Sequence, residues 1–257
     1  MVTRFAMSLG GHPVHELLSL TYSPWSVAAR WCLRYAEIPV THVEYKPMVG
    51  EPGLRRRLRA RGPVSVPVLF DSDGGAHQGA LEIARWVEAQ RPECGLIPAA
   101  SRADVEAWSE RAQRAMGAGR VRVAAAVVQD PEALGESVPP ALMPIAALRP
   151  LVGRIGARFL ASKYGFDETD CDAALDEALG AFRMRVAAGG GVEPLLGAFS
   201  FADVMMVCAM QFIAPLPDER VPLGRAARAH WCDPERADPV LVAWRDAMVE
   251  RYWDTSA

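Results

Sequence analysis

The five cysteines, Cys32, Cys94, Cys171, Cys208 and Cys232, are odd in number and include no C-x-x-C pair. That excludes a paired disulfide framework and points to reduced thiols, as expected of a cytoplasmic protein. No stretch approaches the run of about 18 apolar residues that a membrane-crossing helix needs. The opening stretch from Met1 to Pro13 lacks the unbroken apolar centre of a secretory signal. Charge of one sign is scarce too: 28 basic and 31 acidic side chains leave a net charge of −3. So weak a field provides no bulk attraction for nucleic acid or an anionic membrane, and neither is expected as a partner. There is no glycine-rich phosphate loop and no G-x-S-x-G elbow. His12, His15, His42 and His77 are dispersed, and His230 and Cys232 stand two apart without further ligands, so no metal site is expected.

What the chain does have is 257 residues, 51% of them hydrophobic, enough for one large or two modest globular cores. After an extension over residues 1–14, short strand-like and helix-like runs alternate. "HELLSLT" (15–21) has strand length and apolar character. From Val27 the apolar residues fall at 27, 28, 31, 32 and 35, which is helical spacing. "IPVTHVEY" reads as a second strand, and the β-branched "VSVPVLF" (64–70) as a third. "DSDGG" is a turn by composition, and "ALEIARWVEAQ" is again helical. This order predicts a βαβ unit closed by a hairpin over residues 15–91.

"RPECGLIPAAS" holds two prolines and a glycine, and residues 92–101 are expected to be a linker. Beyond it the strand signal stops. Val105, Trp108, Ala112, Ala115 and Met116 share one helical face. "MPIAALRPLVGRIGARFLASKYG", "CDAALDEALGAFRMRVAAGGG", "SFADVMMVCAMQFIAPL" and "DPVLVAWRDAMVERYW" read as further helices, the third of them buried. The proline-rich 129–145 reads as a loop. Residues 102–257 are therefore expected to form an all-helical domain. The fold class is α/β followed by all-α.

Two stretches carry a more specific signal. In "PLLGAFSFADV", Ser200 precedes Asp203 by three residues just before an apolar run, which is a capping box, and Phe199 and Val204 occupy the hydrophobic-staple positions. In "VSVPVL", Pro67 interrupts a β-branched run, where proline cannot donate to the ladder and belongs at an edge or a bulge. With these motifs in this order, the chain resembles the glutathione transferases from about residue 15 to its last helix. The resemblance implies a thioredoxin-like N-terminal domain, a helical C-terminal domain, glutathione as cofactor and a homodimer. It also implies a cis bond before Pro67, which would turn the Val66 backbone outward to pair with a peptide as a strand would.

"LLSLTYSPWSVAARWCL" resembles the family's passage from first strand to first helix, with Ser23 where serine- or cysteine-type members carry the catalytic side chain. Serine followed by proline is also a good helix cap without any function, and the two roles are compatible. A hydroxyl at a helix N-terminus can donate to a thiolate and hold its charge. Ser19 is the rival, at the first-strand position where tyrosine-type members keep their hydroxyl. Tyr22 is at most a wall residue, and Ser26 is read as a solvated helix residue, with a second donor as the alternative. Members of the family grip the γ-glutamyl end of glutathione with an acidic residue and a serine at the start of the third helix. Here those positions are Gly79 and Ala80, whose side chains offer neither acceptor nor donor, so Gln78, His77 or free backbone N–H groups would have to substitute.

The arginines at 55, 56, 57, 59 and 61 read either as a solvated helix face or as partners for a substrate carboxylate. Trp25, Trp108 and Met116 read as core, with an apolar substrate pocket between the domains as the alternative. Cys32 falls on an apolar helix face, where an unreactive thiol belongs. The resemblance implies an enzyme that conjugates a thiol to a small apolar electrophile, or isomerises one with the thiol's help. The alternative is a non-catalytic ligand-binding or assembly protein with a degenerate glutathione site.

Overall fold

The protein is described here by a computed structural model covering residues 15–47, 49–136 and 171–253. Its N-terminal part runs β1 (His15–Ser19), α1 (Pro24–Tyr35), β2 (Val40–Glu44), α2 (Glu51–Leu58), β3 (Val68–Phe70), β4 (Ala76–Gln78) and α3 (Ala80–Gln90). The strands form one sheet in the order β2-β1-β3-β4. β1 pairs parallel with β2 in the register His15 to Val40, and antiparallel with β3 in the register Leu17 to Leu69. This is a thioredoxin-like sheet.

The local sequence explains the elements. Proline sits at the first position of α1, where its missing N–H costs nothing. Glu37, at φ 53°, closes that helix, and the Ile38 N–H reaches the Leu33 carbonyl at 2.9 Å. The apolar face of α1 buries Val27, Ala28, Trp31 and Cys32 against α3, whose Ile83, Ala84 and Val87 are equally buried. α2 covers the opposite face of the sheet, with Leu54 packed among Tyr45, Val64 and Val68.

Two expectations in this half need correcting. The third strand spans only Val68–Phe70, because residues 64–67 carry the chain into the sheet without joining its ladder. β4 was not visible in the pattern: Ala76–Gln78 is short, with two of its three residues exposed, so it has no apolar periodicity to show.

The second part comprises α4 (Arg102–Gln129), α5 (Pro131–Glu136), α6 (Cys171–Ala188), α7 (Phe201–Ala209), α8 (Arg225–Trp231) and α9 (Pro239–Tyr252). All nine residues of α7 are buried, and the helix packs between α4 and α1. Its start is the capping box read from the sequence, sealed by buried Phe199 and Val204. Asp203 accepts from the Ser200 N–H at 2.8 Å, the Ser200 hydroxyl at 3.1 Å and the Leu195 N–H at 2.7 Å. The Phe201 N–H donates to the Leu96 carbonyl at 2.8 Å, which ties α7 to the segment that follows α3.

Pro131–Glu136 is helical rather than loop, capped by Asp130, whose carboxylate accepts from Glu132 and Ala133 N–H at 2.9 and 3.2 Å. α8 had no sequence expectation: it spans only Arg225–Trp231, too short to establish a period. The helix expected over "MPIAALRPLVGRIGARFLASKYG" lies outside the described residues.

Candidate functional site

Leu18 on β1 and Gln78 on β4 both stand beside Val68 on β3, and both pairings are antiparallel. The end of β1, the beginning of β3 and the end of β4 therefore open at one edge of the sheet. Three segments meet there: the turn from Leu20 to Ser23, the Val66–Pro67 step, and Gly79–Ala80 at the head of α3. The Gly79 N–H donates to the Pro67 carbonyl at 2.9 Å and joins the last two.

Ser23 is the N-cap residue of α1, extended at φ −74° and ψ 125°, and its hydroxyl makes no capping bond. Its carbonyl takes the Val27 N–H at 2.8 Å. The half-buried hydroxyl is thus left at the positive end of a 12-residue helix.

The turn itself is held from three sides. Arg30 Nη1 donates to the Leu20 carbonyl at 3.1 Å and Nη2 to the Thr21 carbonyl at 2.6 Å. Glu44 accepts the Thr21 N–H at 3.1 Å and its hydroxyl at 2.5 Å. Ser26 Oγ accepts the Leu20 N–H at 3.1 Å. Ser26 is fully buried and not solvated as its sequence position suggested, because the turn folds back over it. Nothing in the spacing of Arg30, Glu44 and Ser26 announced this clamp, since its partners are backbone groups. Ser19, the rival hydroxyl, is buried in β1, and Tyr22 is exposed.

The Val66–Pro67 peptide is cis. Among the described residues neither the N–H nor the carbonyl of Val66 has an intramolecular hydrogen bond. Gly79 adopts φ 93° and ψ 156°, a region that strongly favours glycine, and no atom lies within 4 Å of where its Cβ would be. Ala80 is buried and opens α3, whose first-turn amides point at the same edge.

The two substitutes considered for the missing grip are committed elsewhere. Gln78 Nε2 donates to the Ser65 carbonyl at 3.1 Å and to its hydroxyl at 3.3 Å. His77 pairs with Asp71 at 2.9 Å and packs on Trp86. Beside Leu81, however, a groove of about 310 Å³ runs between α3 and α4, lined by Arg85, Glu106, Ser109, Glu110 and Gln113, with Arg85 paired to Glu106 at 2.7 Å.

On the α4 side, the Trp25 indole N–H donates to Gln113 Oε1 at 2.5 Å, the Arg120 guanidinium lies 5.0 Å from the Trp25 ring centre, and Phe212 meets the ring edge-on at 6.2 Å. Trp25 therefore stands half-buried as a wall two residues from Ser23. Met116 is core, and Trp108 packs under Arg111.

The arginine run divides. Arg57 pairs with Glu16 and covers Phe70, and Arg55 pairs with Glu51 at 2.6 Å, while Arg56, Arg59 and Arg61 are exposed. Burial pushes the Cys32 and Cys208 thiols well up, so neither is a thiolate at neutral pH. Among the described residues no group of three or more His, Cys, Asp or Glu side chains gathers to hold a metal. No described helix is long and apolar enough to cross a membrane.

Residues 22–90 match the family model described as glutathione S-transferase, N-terminal domain. No curated protein matches the sequence. Solved structures with a similar fold include a glutathione S-transferase from Ceriporiopsis subvermispora in complex with glutathione, with a TM-score of 0.56 and 17% identity over 91% of this chain and 97% of that one. A glutathione S-transferase from Methylobacillus flagellatus with glutathione bound has a TM-score of 0.57 and 17% identity over 95% and 98%. A maleylacetoacetate isomerase from Anaeromyxobacter dehalogenans with bound glutathione has a TM-score of 0.52 and 20% identity over 95% and 94%.

Proposed function

Because residues 22–90 match the glutathione S-transferase N-terminal domain and the described residues have a fold similar to solved glutathione S-transferases, we propose that the chain is a member of that superfamily, binds glutathione at the sheet edge and uses it on a small electrophile. The observation that carries this reading is the Ser23 hydroxyl, uncommitted at the N-terminus of α1 on a turn that three side chains hold in place. The cysteinyl backbone of glutathione pairs with the N–H and carbonyl of Val66, ahead of Pro67. Its sulfur then meets the Ser23 hydroxyl, which donates to the thiolate and, with the helix dipole, lowers the thiol pKa.

The thiolate electron pair forms a carbon–sulfur bond with the electrophile. Either a leaving group departs with its bonding pair, or the neighbouring carbon of an activated double bond takes up a proton. If the addition later reverses after rotation about that bond, the net result is isomerisation. Serine cannot form a mixed disulfide, so thiol–disulfide exchange is not the chemistry proposed.

The γ-glutamyl end reaches the head of α3. Its carboxylate takes the first-turn amides from Ala80 onward, and the open space at Gly79 leaves room for its ammonium. Gln78 holds the Ser65 segment in place rather than touching the ligand. The protein is proposed to work in the cytoplasm as a homodimer.

Calorimetric titration with glutathione tests the reading. A dissociation constant in the millimolar range or tighter is expected, together with conjugation of a chloronitroarene. Folded protein that shows neither leaves the second reading, a non-catalytic binding or assembly module, which the side chains missing at Gly79 and Ala80 favour.

A further inference from the structure

The helix that carries the arginine run borders a cavity outside the thiol site. On the sheet face covered by α2, about 270 Å³ of open space lies between that helix and the ends of β1 and β2. Leu18, Tyr45, Val49 and Leu54 give it apolar walls. Tyr45 and Leu54 are buried beneath it, but Val49 is 68% exposed, so a ligand there covers apolar surface that the fold leaves open. Two glycines of α2 and its entry also line it, for different reasons. A Cβ on Gly50 would lie 2.8 Å from the Lys46 carbonyl oxygen and 2.9 Å from the Tyr45 ring, so close packing requires glycine there. No atom lies within 4 Å of where a Cβ on Gly53 would be. Glycine weakens a helix, and packing does not call for it at Gly53; what it leaves is room in the cavity.

The charge around this cavity has one sign. Residues 44–61 carry six basic and two acidic side chains in a chain of net charge −3. Both acids are committed, Glu44 to the Thr21 N–H and hydroxyl and Glu51 to Arg55 at 2.6 Å. Glu16 neutralises Arg57. Lys46 lines the cavity, is exposed, and has no ion-pair partner for its ammonium among the described residues. Arg56, Arg59 and Arg61 are likewise exposed and outside the ion pairs of the described residues, and their field favours approach of an anion.

We propose that this cavity is a second ligand site, which takes an amphipathic organic anion: a short apolar or aromatic body bearing one carboxylate. The body lies against Leu18, Tyr45 and Val49 in the room at Gly53, and the carboxylate faces Lys46. Apolar walls with one placed charge are the usual composition of a ligand pocket, and the volume, near the lower bound of about 300 Å³, suits a small molecule. The site lies under α2 rather than along Val66, and it does not rest on the thiol chemistry of Ser23.

The test uses an isosteric pair, 3-phenylpropanoate and 3-phenylpropanamide, titrated calorimetrically into the full chain with S-methylglutathione present to fill the thiol site. The carboxylate is expected to bind about threefold to tenfold more tightly than the amide. In Lys46→Met this preference disappears, and in Lys46→Arg, which restores the charge, it stays. Gly53→Leu fills the room and weakens both compounds roughly tenfold or more, while Gly53→Ala weakens them less; both variants should unfold no earlier than the native chain on heating, because each favours the helix. Equal affinities in the native protein, an unchanged ratio in Lys46→Met, unchanged binding in Gly53→Leu, or failure of both compounds to bind at millimolar concentration overturns the inference. Conjugation of a chloronitroarene to glutathione should proceed equally in native protein and Gly53→Leu. Its loss in Gly53→Leu alone would make the cavity part of the thiol site and overturn the inference, whereas its absence from both removes only the thiol chemistry.

Discussion

The Arg30 guanidinium lies 2.6 Å from the Thr21 carbonyl and 3.1 Å from that of Leu20, so one side chain of α1 holds the turn that presents Ser23. Burial lowers the Arg30 pKa against the opposing pull of Glu44, which grips the same turn from β2. Cation and carboxylate thus meet through the backbone of Thr21. Replacing Arg30 with methionine leaves two carbonyls without their donor and is expected to cost about 1–3 kcal/mol of stability. It should also raise the pKa of bound glutathione, followed by thiolate absorbance against pH. In the Ser23→Ala background the same replacement should leave that pKa unmoved, because no hydroxyl remains to be positioned.

Ser23→Ala separates cap from catalyst. The hydroxyl makes no capping bond, so the stability loss in urea unfolding should stay below about 1 kcal/mol. Loss of a donor to the developing or bound thiolate should lower kcat/KM by roughly a hundredfold. A large stability loss with unchanged turnover would return Ser23 to the role of a helix cap.

Asp203 makes stability depend on pH. Burial pushes its carboxyl up to about 6, although the N–H groups of Leu195 and Ser200 and the Ser200 hydroxyl pull the other way. The folded chain therefore holds this proton more tightly than the unfolded chain, where the group titrates at about 3.9. The stabilisation it provides is full below about pH 4, is lost as pH rises through 6, and stays constant above. Asp203→Asn is expected to be less stable by about 1–3 kcal/mol at neutral pH, through its broken capping box. The gap between native and variant urea midpoints should be widest near pH 4 and narrow up to about pH 6.

Two glycines of α4 should respond in opposite directions. A Cβ on Gly119 would lie 2.5 Å from Phe212, whose ring is stacked on Trp231 at 4.6 Å and cannot retreat. Gly119→Ala should cost about 1–3 kcal/mol through overpacking. Gly117 has open space, and Gly117→Ala should add up to about 1 kcal/mol by helix propensity. Thermal unfolding of the two variants decides both.

Much of the architecture was legible because it rests on local signals. Apolar spacing from Val27 identified α1, the Ser200–Asp203 spacing located the start of α7, and the composition change after Arg91 accompanied the end of the strands. These patterns persist over several residues, so they survive without knowledge of neighbours. β4 and α8 did not, since three and seven residues are too few to establish a period. Pro131–Glu136 was hidden for a different reason: its proline and two glutamates, followed by more prolines, read as loop, while the cap that starts it is a single side chain, Asp130.

By itself the sequence determined the order of the longer strands and helices, the motif at Pro67, Ser23 as the residue entering α1, and the absence of side-chain grip at Gly79 and Ala80. Only the tertiary structure decided that the Ser23 hydroxyl is uncommitted, that Ser26 is buried beneath its turn, that His77 and Gln78 are engaged elsewhere, and that Arg120 lies over Trp25, 95 positions away. The physical reason is one of range. Helix caps and apolar periods are interactions between residues a few positions apart, whereas burial and the partner of a polar group are set by whatever distant segment the fold brings against it.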